Sequence, residues 1–423
     1  MIPVALDEVR ALELGRLEPG AGDEITGVLI DSRLVGPGDL FVAVAGGVDF
    51  VGEAHSRGAA TLVSEAPLAA LAALARLVRD RSRARVVGIT GSTGKTSTKD
   101  ILAALCAPVA RTVAAEASFN NELGVPLTLC RLEPETEVLV VELGMRGFGQ
   151  IAELCAYVRP DIGVITVIGP GHLERVGDLD GVARAKGELL AALPAGGTAI
   201  VPAGVAALEP FLRDDLDVRR VPTLEDADVE RDETGATIRF RGHELRFPLT
   251  ARHQVANALT ALEAYDALGL PLDRAPEGAA TASVSRWRGD ELQLPGGGVA
   301  INDAFNANPD SMRAALLNLR ERAGAGRALA VLGGMAELGD HAARYHREAA
   351  ALARELDVEV VAVGELARLY QTGEWADGAD AAVDRARELL RPGDTVLVKA
   401  SRSVGLEGVA PALANRARTW SES

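Results

Sequence analysis

The stretch Val86-Val87-Gly88-Ile89-Thr90-Gly91-Ser92-Thr93-Gly94-Lys95-Thr96-Ser97-Thr98-Lys99-Asp100-Ile101-Leu102 decides how this chain is read. Residues 86–90 form a short apolar run suited to a buried strand, and Lys95 to Cys106 has helical spacing. Between them lies a glycine loop. Strand, glycine loop and helix in that order place backbone N–H groups and a helix N-terminus around phosphate oxygens. In this reading Gly91, Ser92, Thr93, Gly94 and Ser97 surround phosphate oxygens. Lys95 reaches the β- and γ-phosphates, and the Thr96 hydroxyl ligates Mg2+. The full pattern G-x4-G-K-[ST] lacks its first glycine, because residue 89 is Ile. The bland alternative is a glycine turn followed by an exposed lysine, and the flanking strand and helix argue against it. Lys99, one turn further on, reads as a solvated helix cation.

Outward from this loop the texture repeats. Strands are expected at 138–143, 162–167 and 198–201, with helices near 149–157 and 181–192. Residues 217–250 alternate like β-structure and suggest an antiparallel extension, and a helix at 254–268 closes the unit. Continuous apolar strands alternating with helices imply a parallel sheet covered on both faces. Upstream, short strands at 25–30 and 40–44 and a helix at 68–80 make a small α/β unit. Downstream of a glycine turn at 296–298, strands at 299–302, 328–332, 358–363 and 394–398 alternate with helices at 310–321, 341–355 and 380–390. The expected fold is therefore α/β in three domains: 1–84, a central P-loop parallel-sheet domain at 85–285, and a Rossmann-like domain at 286–423.

The bulk numbers narrow the function. The chain has 423 residues, 48% of them hydrophobic and 25% charged, which excludes disorder, collagen and coiled coil as descriptions of the whole. Sixty acidic residues against 44 basic give a net charge of −16 and exclude a broad basic footprint for nucleic acid. Three cysteines, an odd number in apolar surroundings, read as reduced core residues. The first residues lack a basic, apolar leader pattern, and no apolar run is long enough to span a bilayer, so a soluble cytoplasmic protein is expected. One number is odd. Of the 44 basic residues only Lys95, Lys99, Lys186 and Lys399 are lysine, and the other forty are arginine. Lysine is needed where an amine does what a guanidinium cannot.

Three residues beyond the loop carry candidate chemistry. Glu142 ends a buried strand, where side chains of a parallel sheet point into the ligand crevice, and it suits a magnesium ligand. The alternative is an ordinary solvated strand end. His172 follows the strand at 162–168. Lys186 lies fourteen residues later on a helix otherwise supplied with Arg. A lysine amine can add CO2 to form a carbamate, an anionic oxygen ligand suited to Mg2+.

At these residues the chain resembles the Mur ligases of bacterial cell-wall synthesis. The resemblance is carried by Thr90–Thr96, by Asn120-Asn121-Glu122-Leu123-Gly124-Val125-Pro126, by Val141–Gly144, and by His172-Leu173-Glu174 with Lys186 following. His253–Ala261 is similar to the family's HNxxNxxAA helix, with Gln254 in place of the first Asn. Asn302–Met312 resembles the signature of members that add D-alanyl-D-alanine, with Phe305 where Tyr is usual. Residues 332–339 and 396–403 match the same members. The similarity runs over about residues 27–410.

The resemblance implies an ATP-dependent, ADP-forming amide ligase. It would act in peptidoglycan synthesis, adding D-alanyl-D-alanine to UDP-N-acetylmuramoyl-tripeptide through an acyl phosphate. Domain one would bind the UDP-sugar, domain two ATP, and domain three the dipeptide and part of the nucleotide. Lys95, Lys186 and His172 would be catalytic. Two Mg2+ ions would be held, one by Thr96 and Glu142, the other by His172 and carbamoylated Lys186. Asn257, Arg288 and Asp303 would hold ATP, and Asn121 would lie near metal and acyl acceptor. Ser32 and Arg33 would face uridine. Asn306, Asn308 and Ser311 would shape the dipeptide site, with Lys399 and Ser401 loosely on that face. A monomer without nucleic-acid or membrane partners is expected. His253 on its apolar helix can equally be a satisfied core histidine, and Asn306–Pro309 only a capped turn. The family's Asp-Gly-His segment reads Val48–Gly52 here, and its Asn-Ala-Asp reads Pro202-Ala203-Gly204. These departures motivate a second reading, an amide ligase for another acid and amine. A third reading is a P-loop protein that binds ATP without ligation.

Overall fold

The computed structural model describes residues 1–415. Its centre is a six-stranded parallel sheet. The spatial order is Asp217–Val221, Thr198–Pro202, Ile162–Ile165, Arg85–Thr90, Val138–Glu142 and Thr112–Ala114. Val86, Val87 and Ile89 are fully buried in the strand that feeds the glycine loop. That strand lies between its two partners with Ile89 beside Glu142 and Thr90 beside Ile165. Loop, Glu142 and the segment after Ile165 therefore emerge at one edge, the carboxyl ends of the strands, where parallel sheets bind ligands.

The expected antiparallel extension at 217–250 is corrected in part. Asp217–Val221 joins the central sheet in parallel as its edge strand. Val229–Asp232, Gly235–Phe240 and His243–Phe247 form a separate antiparallel sheet. Its Ile238, Leu245 and Phe247 share a core with helices Lys95–Cys106 and Arg252–Ala267.

The N-terminal unit is a four-stranded sheet ordered Arg16–Glu18, Ala60–Val63, Asp39–Val42, Gly27–Leu29. Helix Pro67–Arg81 buries Leu71, Leu74 and Val78 in a core that continues into Val125, Leu129 and Leu139 of the central unit. Arg79 Nε donates 3.0 Å to the Val158 carbonyl, fastening the same contact.

The third sheet is ordered Asp290–Gln293, Val299–Asp303, Thr395–Lys399, Ala328–Gly333, Val358–Val363, Glu374–Ala376. Asp290–Gln293 runs antiparallel to its neighbour and the rest are parallel. The Gly296–Gly298 turn joins Asp290–Gln293 to Val299–Asp303 as a hairpin inside this sheet. Cys106, Cys130 and Cys155 are buried and unpaired, and burial pushes their thiols up to about 12. No helix among the described residues is long and apolar enough to cross a membrane.

Candidate active site

The glycine loop is built so that only glycine fits at two positions. Gly91 has φ +150°, and a Cβ there would lie 1.9 Å from Thr166 Oγ1. Gly94, which starts helix Lys95–Cys106, has φ +81°, and a Cβ would lie 2.4 Å from Asn257 Oδ1. Helix Arg252–Ala267 packs along the loop's helix and brings Asn257 to this point. Ser92 Oγ donates 2.8 Å to the Gly169 carbonyl, tying the loop to the segment after Ile165.

At the helix start, Thr96 Oγ1 donates to Glu142 Oε2 at 2.7 Å, and Asn120 Nδ2 donates to Glu142 Oε1 at 2.7 Å. Arg288 Nη2 donates to Thr96 Oγ1 at 2.8 Å. Lys95 Nζ donates to the Gly91 carbonyl at 2.8 Å. Burial pushes the Lys95 amine below its ordinary value, Glu142 opposes the shift and Arg288 adds to it.

These groups line a cavity of about 410 Å3, within the range of small-molecule sites. One wall is Ser92, Thr93, Gly94, Lys95, Thr96, Ser97, Asn120, Glu142, His253 and Asn257. The facing wall comes from the third unit and includes Arg288, Asp303, Phe305, Asn306, Asn308, Asp310, Ser311, Lys399 and Arg402. Arg288 lies 4.2 Å over the Phe305 ring, and Arg402 lies 4.6 Å over Trp287. Burial raises the Asp310 carboxyl above its usual range.

Several expectations need correction. Lys99 is not a solvated cation. It is 2% exposed, and its Nζ donates to the carbonyls of Ala115 (2.6 Å) and Ala117 (3.0 Å) and pairs with Asp100 (2.7 Å). Asn121 does not face Glu142. Its Oδ1 accepts from Gly124 N at 3.0 Å in the turn that leads into a short helix, and the neighbouring Asn120 takes the carboxylate. His253 lines the cavity instead of sitting as an ordinary core histidine, and burial lowers its imidazole pKa while Asp303 opposes the shift. Lys399 is buried behind Asp303, to which it pairs at 2.7 Å, so it belongs to the wall assigned to ATP. Asn308 and Ser311 cap helix Pro309–Ala323 reciprocally, and Asn308 Nδ2 also donates 3.2 Å to the Ser92 carbonyl. Asn306 remains exposed at the cavity. Ser401 Oγ accepts from Ala336 N at 2.9 Å.

Ser32 and Arg33 lie outside this cavity, in the N-terminal unit. Ser32 Oγ donates 2.7 Å to Glu53, and Arg33 pairs with Asp31. His172 has φ +58°, and its Nδ1 stands 2.5 Å from Glu337 Oε2, a third-unit residue itself at φ +60°. His172 holds the Glu337 carboxyl below its usual range. Lys186 is 2% exposed, and among the described residues no hydrogen bond or ion pair holds its amine. Burial lowers that amine well below its ordinary value, and the charge of Lys95 acts in the same direction.

Sequence reasoning missed Asn120, Asp310, Arg402 and Glu337 and left Phe305 without a role. Asn120 stood in a quoted segment, one position from the residue chosen. Asp310, Glu337 and Arg402 lie inside the segments 302–312, 332–339 and 396–403, and only the packing of the third unit against the phosphate loop and His172 shows which of their side chains meet the site.

The donor chemistry bears on a metal. No group of three or more His, Cys, Asp or Glu side chains that could hold an ion lies together among the described residues. Thr96 and Glu142 instead offer two hard oxygens beside the phosphate loop. That suits Mg2+, which keeps waters and takes phosphate oxygens as its other ligands.

Residues 89–265 match the Mur ligase middle domain, and 288–402 match the Mur ligase glutamate ligase domain. The chain belongs to the Mur ligase family. A relative from Mycobacterium tuberculosis, named UDP-N-acetylmuramoyl-tripeptide–D-alanyl-D-alanine ligase, is 34% identical, with 94% of each chain aligned. A crystal structure of MurF from Acinetobacter baumannii superposes with TM-score 0.86 at 28% identity, covering 97% of this chain and 99% of that one. A MurF ligase from Thermotoga maritima in complex with ADP gives 0.81 at 25% identity, with 92% and 97% covered. The three-domain α/β expectation therefore holds for the fold.

Proposed function

We propose that this chain is the ATP-dependent ligase that joins D-alanyl-D-alanine to the peptide stem of UDP-N-acetylmuramoyl-tripeptide, releasing ADP and phosphate, in peptidoglycan synthesis. The observation that carries the chemistry is the Thr96–Glu142 pair, set beside the phosphate loop and covered by third-unit residues. The near full-length similarity to ligases of that name carries the substrate pair. Residues 1–84 are assigned to the UDP-sugar, 85–285 to ATP and 286–423 to the dipeptide, in a cytoplasmic monomer.

A carboxylate is a poor acyl donor, and phosphorylation gives it a leaving group. The stem carboxylate attacks the γ-phosphorus, the bond to ADP breaks, and an acyl phosphate forms. The dipeptide amine then attacks the acyl carbon, phosphate leaves, and the amine gives up a proton. Phosphoryl transfer depends on alignment and charge neutralisation more than on covalent chemistry by the protein. The loop amides and Lys95 hold the phosphates in line. Asn257, Arg288 and Asp303 hold the rest of the nucleotide, with Lys399 fixing Asp303. Mg2+ at Thr96 and Glu142, when bound, neutralises charge on the phosphate oxygens.

Lys186 has the properties of a carbamate precursor. It is buried, no acceptor among the described residues holds its amine, and its ammonium form is disfavoured. Addition of CO2 forms an N–C bond and releases a proton. The resulting carboxylate, with His172 released from Glu337, is assigned to a second Mg2+.

The test is isotopic. Tripeptide substrate labelled with 18O in its terminal carboxylate, turned over with D-alanyl-D-alanine, transfers one label to the released phosphate. Label-free phosphate alongside normal amide formation would overturn the acyl-phosphate route.

A further inference from the structure

Lys99 has no part in the phosphate-loop chemistry assigned to Lys95 and Thr96. Its ammonium donates to the Ala115 carbonyl at 2.6 Å and the Ala117 carbonyl at 3.0 Å, and Asp100 Oδ1 pairs with it at 2.7 Å, so three oxygens surround one nitrogen. A planar guanidinium spreads its donors over a fork and cannot present three from one buried atom, so this position excludes the cation used forty times elsewhere.

What the ammonium holds is the return path to Glu142. Ala115 follows strand Thr112–Ala114, and Ala117 sits at φ +46°, in the left-handed region that alanine avoids. Three residues later Asn120 donates to Glu142 Oε1, and its carbonyl accepts from Gly144 N at 2.7 Å. The partner carboxylate works on a second segment. Asp100 Oδ2 accepts from Ser285 N at 2.8 Å and from Ser285 Oγ at 2.7 Å. Ser285 begins the connection that carries Arg288 to Thr96 Oγ1. One ion pair, a turn along the helix from Thr96, thus fastens both segments that reach the Thr96–Glu142 oxygens.

We propose that Lys99 and Asp100 are positioning residues that aim Asn120 and Arg288 at Glu142 and Thr96 and so set the affinity of the site for magnesium-bound nucleotide. The proposal rests on the assignment of Thr96 and Glu142 to Mg·ATP. Residues that orient metal ligands commonly change affinity or activity by 10–100-fold when removed, and this pair acts through two of them.

The test compares wild type with Lys99→Met and Asp100→Asn. Lys99→Met is expected to weaken Mg·ADP binding in calorimetry by about tenfold or more. It should raise half-saturating Mg2+ in parallel while the KM for D-alanyl-D-alanine moves less than about twofold. Amide exchange in metal-free protein should quicken at 116–121. Asp100→Asn should shift Mg·ADP binding in the same direction by a smaller factor, and remains informative where Lys99→Met does not fold. Wild-type Mg·ADP affinity and wild-type exchange in a folded Lys99→Met overturn the proposal. Failure of both variants to fold also overturns it, because the pair then serves folding. Absence of Mg2+-dependent ADP binding in the wild type would instead refute the Mg·ATP assignment, while amide exchange still reads the anchoring.

Discussion

Gly94→Ala separates two costs that the structure keeps distinct. At φ +81° an alanine pays about 1–2 kcal/mol for the left-handed conformation alone. Its Cβ also meets Asn257 Oδ1 at 2.4 Å, well inside contact, so the amide must leave the cavity wall. Loss of one hydrogen bond from that amide to the nucleotide is worth about 1 kcal/mol, or roughly fivefold in Kd. Two controls isolate the terms. Gly269 has φ +70° and nothing within 4 Å of its Cβ position, so Gly269→Ala carries only the backbone cost. Gly373 has open space and no left-handed φ, so Gly373→Ala carries neither. Calorimetry of Mg·ADP should show at least about fivefold weakening for Gly94→Ala and wild-type affinity for both controls. Thermal unfolding should show loss for Gly94→Ala and Gly269→Ala only. Wild-type nucleotide affinity in a folded Gly94→Ala would refute the placement of the nucleotide against Asn257.

Other outcomes follow from the same geometry. Stripping CO2 from the buffer should lower turnover, and bicarbonate should restore it. Lys186→Arg should fold but stay inactive with or without bicarbonate, and equal activity in stripped buffer would remove the carbamate. His346 is buried and neutral, accepting from Met335 N at 2.9 Å while its Nδ1 faces the Ala342 carbonyl, and burial lowers its pKa. Its folded pKa lies below the unfolded value of about 6.5, so the stability it contributes is full above that pH and is lost as pH falls toward the folded pKa. A Tm-against-pH curve should therefore drop below about pH 6.5 more steeply in wild type than in His346→Gln. Phe305→Ala removes the ring under Arg288 and should raise the KM for ATP by a few fold, consistent with about 0.5–1 kcal/mol for such a contact, whereas Phe305→Tyr should leave it unchanged.

Much of this architecture was readable along the chain because its signals are local. Lys95–Cys106 and Val358–Val363 appear with the bounds that their periodicity implies. The glycine loop announces itself through a strand before it and a helix after it. What failed was nonlocal. A lysine on a helix reads as solvated from its residue type, and the carbonyls of residues 115 and 117 that hold Lys99 come from a segment far along the chain. Asn120 and Asn121 are chemically identical in sequence, and the turn at Gly124 decides which of them meets Glu142. Lys399 could be placed in a segment but not against Asp303, because strand register brings the two together. Thr112–Ala114 and Glu374–Ala376 are three-residue edge strands, too short for a periodic signal. The lysine count was the exception, a global feature that pointed inward. Lys99, Lys186 and Lys399 are each 2% exposed, and Lys95 lines the cavity.

The most direct measurement follows ADP release across a matrix of substrates. The account predicts sustained, Mg2+-dependent release only when UDP-N-acetylmuramoyl-tripeptide and D-alanyl-D-alanine are both present, in equal amount to the amide formed. No release with that pair, together with turnover on a different acid and amine, would contradict it.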